Sequence, residues 1–311
     1  MRKKCLDMVH DLAKRDERVY FIGSDLGFRV LDAFRREIPA RFIMEGVSEA
    51  NIIGLAAGLA MDGKIPYVNT IATFLTRRAF EQIVVDVCLH NLPVRLIGNG
   101  GGLVYAPLGS THMAFEDISA LRVIPNMTIV APADSLEMER LMPLTLEHPG
   151  PIYIRLGKGH DPIVTSRDTP FRIGRAVTFA TGREVLVIAS GVTLARALEA
   201  RAKLAELGID AGLLHLHTLK PLDSTAILEA AANVRAVITV EENVLIGGLG
   251  EAVATLLMDN GLGYKRLARI GIPDVFPDFY GSQNELLDKF GISASGIVET
   301  ARKLVREAGP C

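Results

Sequence analysis

Cysteine is scarce in this sequence. Cys5, Cys88 and Cys311 are odd in number, widely spaced and never arranged as Cys-x-x-Cys, which argues against a disulfide framework and against a zinc site. No role is assigned to any of the three. Charge of one sign is lacking too: 34 Lys and Arg against 36 Asp and Glu give a formal net charge of -2, with acids and bases interspersed. There is no basic stripe for nucleic acid and no polybasic or amphipathic segment for a membrane surface. The N-terminal stretch MRKKCLDMVHDLAKRDERVYF has basic residues but no long apolar run ahead of its acids. It reads as an amphipathic helix rather than a signal peptide, and the cytoplasm is the default location. Short-period repeats and low-complexity tracts are also missing.

What is present is enough apolar residue for two cores. The 311 residues are 49% hydrophobic, a length natural for two domains of about 150 residues each. Short β-rich runs alternate with helical patterns. Residues 19–23, 41–44, 94–98, 128–131 and 152–155 look like buried parallel strands bounded by Gly, Pro or Asp. From about 156 to 183 the chain turns polar and broken, and a second series opens on the apolar run 185–190. That series continues with a helix near 193–207, strands at 211–216 and 236–240, a glycine-broken helix start near 247 and a closing helix from about 294. The expected fold class is α/β, two consecutive domains, each a mostly parallel sheet flanked by helices. The expected boundaries are 1–165 for the first domain, 166–182 for a linker and 183–311 for the second.

The most informative stretch is GVSEANIIGLAAGLAMDG, residues 46–63. Its apolar residues cover nearly every side of a helical wheel, so the helix is expected to be buried, with Gly54 and Gly58 admitting a neighbouring backbone. Glu49 stands out there. A carboxylate in the first turn is favoured by the helix dipole yet costly to desolvate without a partner. It is either a rim charge or a ligand-binding group.

GVSEANIIGLAAGLA resembles the pyrimidine-domain signature of transketolases and 1-deoxyxylulose-phosphate synthases. Further similar segments follow in the same order: SDLG at 24–27, ATFLTRRAFEQ at 72–82, STHMAFEDI at 110–118, LRVIPNMTIVAPAD at 121–134 and EENVLIGGLG at 241–250. The resemblance spans most of the chain and implies a pyrimidine-binding domain followed by a transketolase C-terminal domain, with thiamine diphosphate as cofactor. That cofactor reacts through C2 of its thiazolium ring, and its own 4-amino group takes the proton in the imino form. A carboxyl bonded to the far pyrimidine nitrogen promotes that tautomer. The resemblance gives this role to Glu49. It also places Phe74 and Phe80 on the aminopyrimidine by stacking, against the alternative of ordinary core, and Asp25 at the cofactor edge of the sheet, against that of a turn cap. His112 matches the family's Thr-His histidine, a proton shuttle or oxyanion donor near the reactive carbon. Arg155 corresponds to an arginine gripping sugar phosphate, with a rim salt bridge as the alternative, and Arg29 and Arg78 are expected to join that anion site.

Two departures from the family matter. Where many transketolases carry an aspartate reading a donor hydroxyl ahead of the Thr-His pair, this chain has YAPLG at 105–109, and Leu108 cannot accept a hydrogen bond. The accompanying upstream histidine is replaced by NGGG at 99–102. An unusual sugar or another ketol or acyl donor is therefore expected. Second, the Gly-Asp-Gly and downstream asparagine that hold the metal and diphosphate in relatives are not found; MetAspGly at 61–63 reads as a helix-ending turn. The missing half, with Mg2+ or Ca2+, is expected on an N-terminal transketolase subunit in an α2β2 assembly. The leading expectation is two-carbon ketol transfer by the C-terminal subunit of a split transketolase. Alternatives are a β-type subunit of a 2-oxo-acid-decarboxylating thiamine enzyme and a non-catalytic assembly or regulatory subunit.

Overall fold

The computed structural model describes residues 1–24, 30–157, 159, 161–278 and 280–307. The strands are β1 Val19–Gly23, β2 Phe42–Met44, β3 Ile65–Ile71, β4 Arg95–Asn99, β5 Thr128–Val130, β6 Ile152–Leu156, β7 Val177–Ala180, β8 Val185–Ala189, β9 Ala211–His215, β10 Thr218–Lys220, β11 Ala236–Val244 and β12 Arg266–Ile272. The α-helices are α1 Arg2–Arg15, α2 Asp32–Glu37, α3 Glu49–Met61, α4 Ala72–Arg78, α5 Phe80–Gln82, α6 Asp117–Arg122, α7 Ser135–Glu147, α8 Thr193–Glu206, α9 Ser224–Ala232, α10 Leu249–Asp259, α11 Gln283–Lys289 and α12 Ala294–Glu307.

Two sheets organise the chain as expected. The first runs β10-β5-β6-β4-β3-β1-β2 and the second β12-β11-β8-β9-β7. Pairing is parallel throughout except at one edge of each sheet, where β10 lies antiparallel to β5 and β7 antiparallel to β9. The buried strands β4, β6 and β8 are apolar along most of their length, as strands covered on both faces by helices must be. α1 puts Cys5, Leu6, Val9, Leu12 and Ala13 on one buried stripe and packs on α7.

Four strands escaped the sequence reading, each for a local reason. β3 reads IPYVNTI; its polar residues are matched inside the sheet, Asn99 Nδ2 donating to Asn69 Oδ1 at 2.5 Å and Thr70 Oγ1 lying 2.9 Å from Ser24 Oγ. β12 carries Arg266 and Arg269 on its outer half, and β10 is three residues long. β7 falls in the stretch expected to be linker. That stretch is tied down: Phe171 stacks on His217 with centroids 4.0 Å apart, and the Ala176 and Gly174 amides donate to Asp223 and Thr218. β10 joins the first sheet from beyond this stretch, so a strand pairing ties the two consecutive domains together.

The helix α3 is not buried on all sides. Ile52, Ile53, Ala56, Ala57 and Ala60 face the core, while Asn51, Gly58 and Met61 are exposed. A Cβ built on Gly54 or Gly58 would meet no heavy atom within 4 Å, so these glycines serve no close approach within this chain. Asp62 and Gly63, the latter at φ 78°, end the helix as the MetAspGly turn implied.

Candidate functional site

Glu49 is the first residue of α3, 5% exposed, at the end where backbone N–H groups favour a negative charge. Its partner is Arg78, the last residue of α4, whose Nη1 donates to Oε1 and Oε2 at 3.2 Å each. The Arg78 guanidinium carbon also lies 3.8 Å from the centroid of the half-buried Phe74 ring, one turn earlier on α4. His112 meets the same ring edge-on, centroids 5.2 Å apart. The structure therefore brings Glu49, Phe74, Arg78 and His112 into one continuous group.

The loop carrying His112 is held from both sides. Thr111 Oγ1 lies 2.9 Å from His112 Nδ1, and the Ser110 hydroxyl donates to the Pro277 carbonyl of the second domain at 2.7 Å. Arg77, next to Arg78, grips the loop from α4: it donates to the Ser110 and Met113 carbonyls at 3.1 and 3.2 Å, pairs with Glu116, and lies over the Phe115 ring. The sequence reading passed over Arg77. The available signal was an Arg-Arg pair closing a short helix, since only one of the two reaches Glu49.

Arg155 departs from expectation. At the end of β6 it is buried, with Nε donating to Asp117 Oδ2 and Nη2 to Asp117 Oδ1, both at 2.9 Å. Nη2 also reaches the Ala114 and Glu242 carbonyls, and Tyr153 adds its hydroxyl to Asp117 Oδ2 at 2.6 Å. Burial works against the charge of Arg155, yet Asp117 holds its pKa above the ordinary value. These partners make it a strut between the domains, and it leaves the anion set expected above. Asp117 and Glu242, which complete the strut, were not singled out from sequence. Glu242 accepts from the Leu103 amide at 2.9 Å and from Gln283 Nε2 at 2.8 Å.

Phe80 stands at the start of α5, 36% exposed. Leu108 is exposed on the turn just before the His112 loop. Asp25 and Arg29 lie outside the described residues. Among the described residues no group of three or more His, Cys, Asp or Glu is arranged to hold a metal, and no helix is long and apolar enough to cross a membrane. Hollows of about 210 and 500 Å³ between residues 159, 161 and 162 and the second domain are lined by Arg196 and Asn284 and do not include Glu49, Phe74 or His112. A buried carboxylate and a half-buried aromatic face, both met by one guanidinium, suit a flat, nitrogen-rich ring that hydrogen-bonds at its edge, and an aminopyrimidine fits that description.

Comparison with known proteins gives the same reading. Residues 1–162 match the family model described as transketolase, pyrimidine binding domain, and residues 174–297 that described as transketolase, C-terminal domain. The chain is 37% identical over 305 residues to the 6-deoxy-6-sulfo-D-fructose transketolase subunit of Clostridium sp. (strain MSTE9), covering 98% of this chain and 94% of the relative. It is 35% identical over 308 residues to an apulose-4-phosphate transketolase subunit of Phocaeicola vulgatus, covering 98% and 97%. A solved structure described as a split gene transketolase, inactive beta4 tetramer, superposes with a TM-score of 0.90 at 34% identity over 98% of both chains.

Proposed function

We propose, from the premise that this chain belongs to the transketolase family, that it is the C-terminal subunit of a split transketolase moving a two-carbon ketol unit between sugars. The observation carrying this reading is Glu49, a carboxylate enclosed at the start of α3 and linked through Arg78 to the Phe74 face. Thiamine diphosphate, when bound, supplies the carbanion that accepts and releases the ketol unit. This chain's residues do the rest of the work on the pyrimidine side. The Glu49 carboxyl would hydrogen-bond the ring nitrogen, sharing its proton with it and so favouring the imino tautomer, Phe74 would carry the ring, with Phe80 at the exposed edge, and Asp25 would border the cofactor. His112, held by Thr111 and the Arg77-clamped loop, donates to or takes a proton from the sugar oxygen nearest the reacting carbon.

The diphosphate and its Mg2+ or Ca2+ fall to a partner chain in an α2β2 assembly, because the metal-binding motif is missing from this sequence. The open face of α3 supports a covering chain on this side. The donor is an anionic ketose other than the common sugar phosphates, since Leu108 replaces the usual hydroxyl-reading aspartate; relatives named for sulfofructose and apulose phosphate support that class. Arg78, with Arg29, meets its anionic end.

The test is turnover of the reconstituted complex with thiamine diphosphate and magnesium against sulfonated and phosphorylated ketoses and pyruvate, run beside Glu49→Ala. Ketol transfer is expected to fall at least about 100-fold in the variant. Full activity without a partner, or activity undiminished by the substitution, would overturn the reading, and pyruvate consumption would replace it with acyl transfer.

A further inference from the structure

The pyrimidine site proposed above centres on the Phe74 face and the Glu49 carboxylate, and a single side chain of this chain already engages both. Arg78 lays its guanidinium 3.8 Å above the Phe74 centroid while Nη1 bonds both Glu49 oxygens. A guanidinium is planar, delocalised and edged with N–H donors, the same features by which an aminopyrimidine would be recognised. Two flat groups cannot share one face of Phe74, because stacked planes need roughly 3.5 Å of separation. Nor can both take the same Glu49 lone pairs.

The way Arg78 is held suits exchange. One nitrogen spans the two carboxylate oxygens, without the two-nitrogen fork that makes arginine–carboxylate pairs rigid, and the side chain is 46% exposed. Arg77, one residue away, is fixed by two carbonyls and Glu116. Arg77 is 35% exposed but tied at several points, whereas Arg78 is held to Glu49 through a single nitrogen. Glu49, by contrast, is enclosed and needs some donor whenever it is charged.

Resting on the cofactor reading above, we infer that Arg78 gates the pyrimidine site: its guanidinium covers Phe74 and neutralises Glu49 until the cofactor ring displaces it. The displaced guanidinium then becomes available to the anionic substrate. Cofactor loading and formation of the substrate's anion site are one exchange, so neither substrate capture nor turnover precedes loading.

The experiment is equilibrium dialysis of thiamine diphosphate against the complex with its partner, for wild type, Arg78→Gln and Arg78→Lys. Without a charged planar group to displace, Arg78→Gln is expected to bind about tenfold more tightly. Arg78→Lys, charged but unable to stack as a plane, is expected to fall between the two. Affinity unchanged or weakened in Arg78→Gln overturns the gate. If Arg78→Gln fails to assemble, the lysine variant decides by the same criterion. A wild-type complex that binds no cofactor overturns the functional reading and the gate together, whereas wild-type binding with an unimproved variant overturns the gate alone.

Discussion

Two arginine–carboxylate pairs in the first domain differ in how completely they are enclosed. In the seam, Arg155 and Asp117 are both buried, and each carboxylate oxygen is bonded, one of them also by Tyr153. At the site, Glu49 is buried but Arg78 is half in water. The chemical groups are the same, and the surroundings give them opposite roles. Where both partners are sealed, losing one strands a charge in a low dielectric; where the cation is open, water or another donor can replace it at little cost. Enclosure of the cation, not the presence of the pair, separates a strut from an exchangeable gate.

The comparison breaks first at Asp117. Asp117→Ala removes the acceptor of both Arg155 and Tyr153 and is expected to cost about 3–5 kcal/mol of unfolding free energy, read from urea midpoints. A cost below about 1 kcal/mol would mean that water reaches the seam and that the two pairs are alike.

Acid should lower the stability of the fold. Burial pushes His217 from 6.5 down to about 4, helped by His215 and Arg140 and opposed by Glu137; burial lowers the half-buried His148 similarly. Both are neutral when folded, while the unfolded chain takes up their protons below pH 6.5, so their stability is full above 6.5 and is lost as pH falls toward 4. Glu241 acts oppositely: burial, offset in part by the Gly250 and Leu249 amides, raises it to about 7. Its contribution is present at low pH and is lost as pH rises from 4.5 through 7. Two histidines outweigh one carboxyl, so a net loss of about 2 kcal/mol at most is expected between pH 6.5 and 4.5. In His217→Gln the profile should run nearly flat over that window; an unchanged slope would assign the titration to other groups.

The smallest effect sharpens the contrast. Arg78→Lys is expected to change unfolding free energy by less than about 1 kcal/mol, as an exposed cation should. A cost equal to that of Asp117→Ala would show that the site pair is a strut as well.

Legibility in the sequence followed locality. Strands β1, β4, β6 and β8 were readable because burial on both faces writes a continuous apolar run. β3 was not, because Asn69 and Thr70 belong to a strand only once Asn99 and Ser24 are beside them. Glu49 was legible as a charge out of place on an apolar helix, whereas its partner Arg78 was grouped with Arg155 because both are cations near the same motifs. Their separation needed Asp117, 38 residues from Arg155 along the chain.

The sequence alone determined two α/β units, their order and the family's ordered motifs, since alternation of apolar runs, helix periods and turn residues is set by neighbours along the chain. The tertiary structure decided that β10 crosses back into the first sheet, that α3 keeps one face open, and which arginine is sealed and which is free to move. Those outcomes rest on burial and pairing between residues far apart in sequence, and a guanidinium's role is fixed by what surrounds it in space.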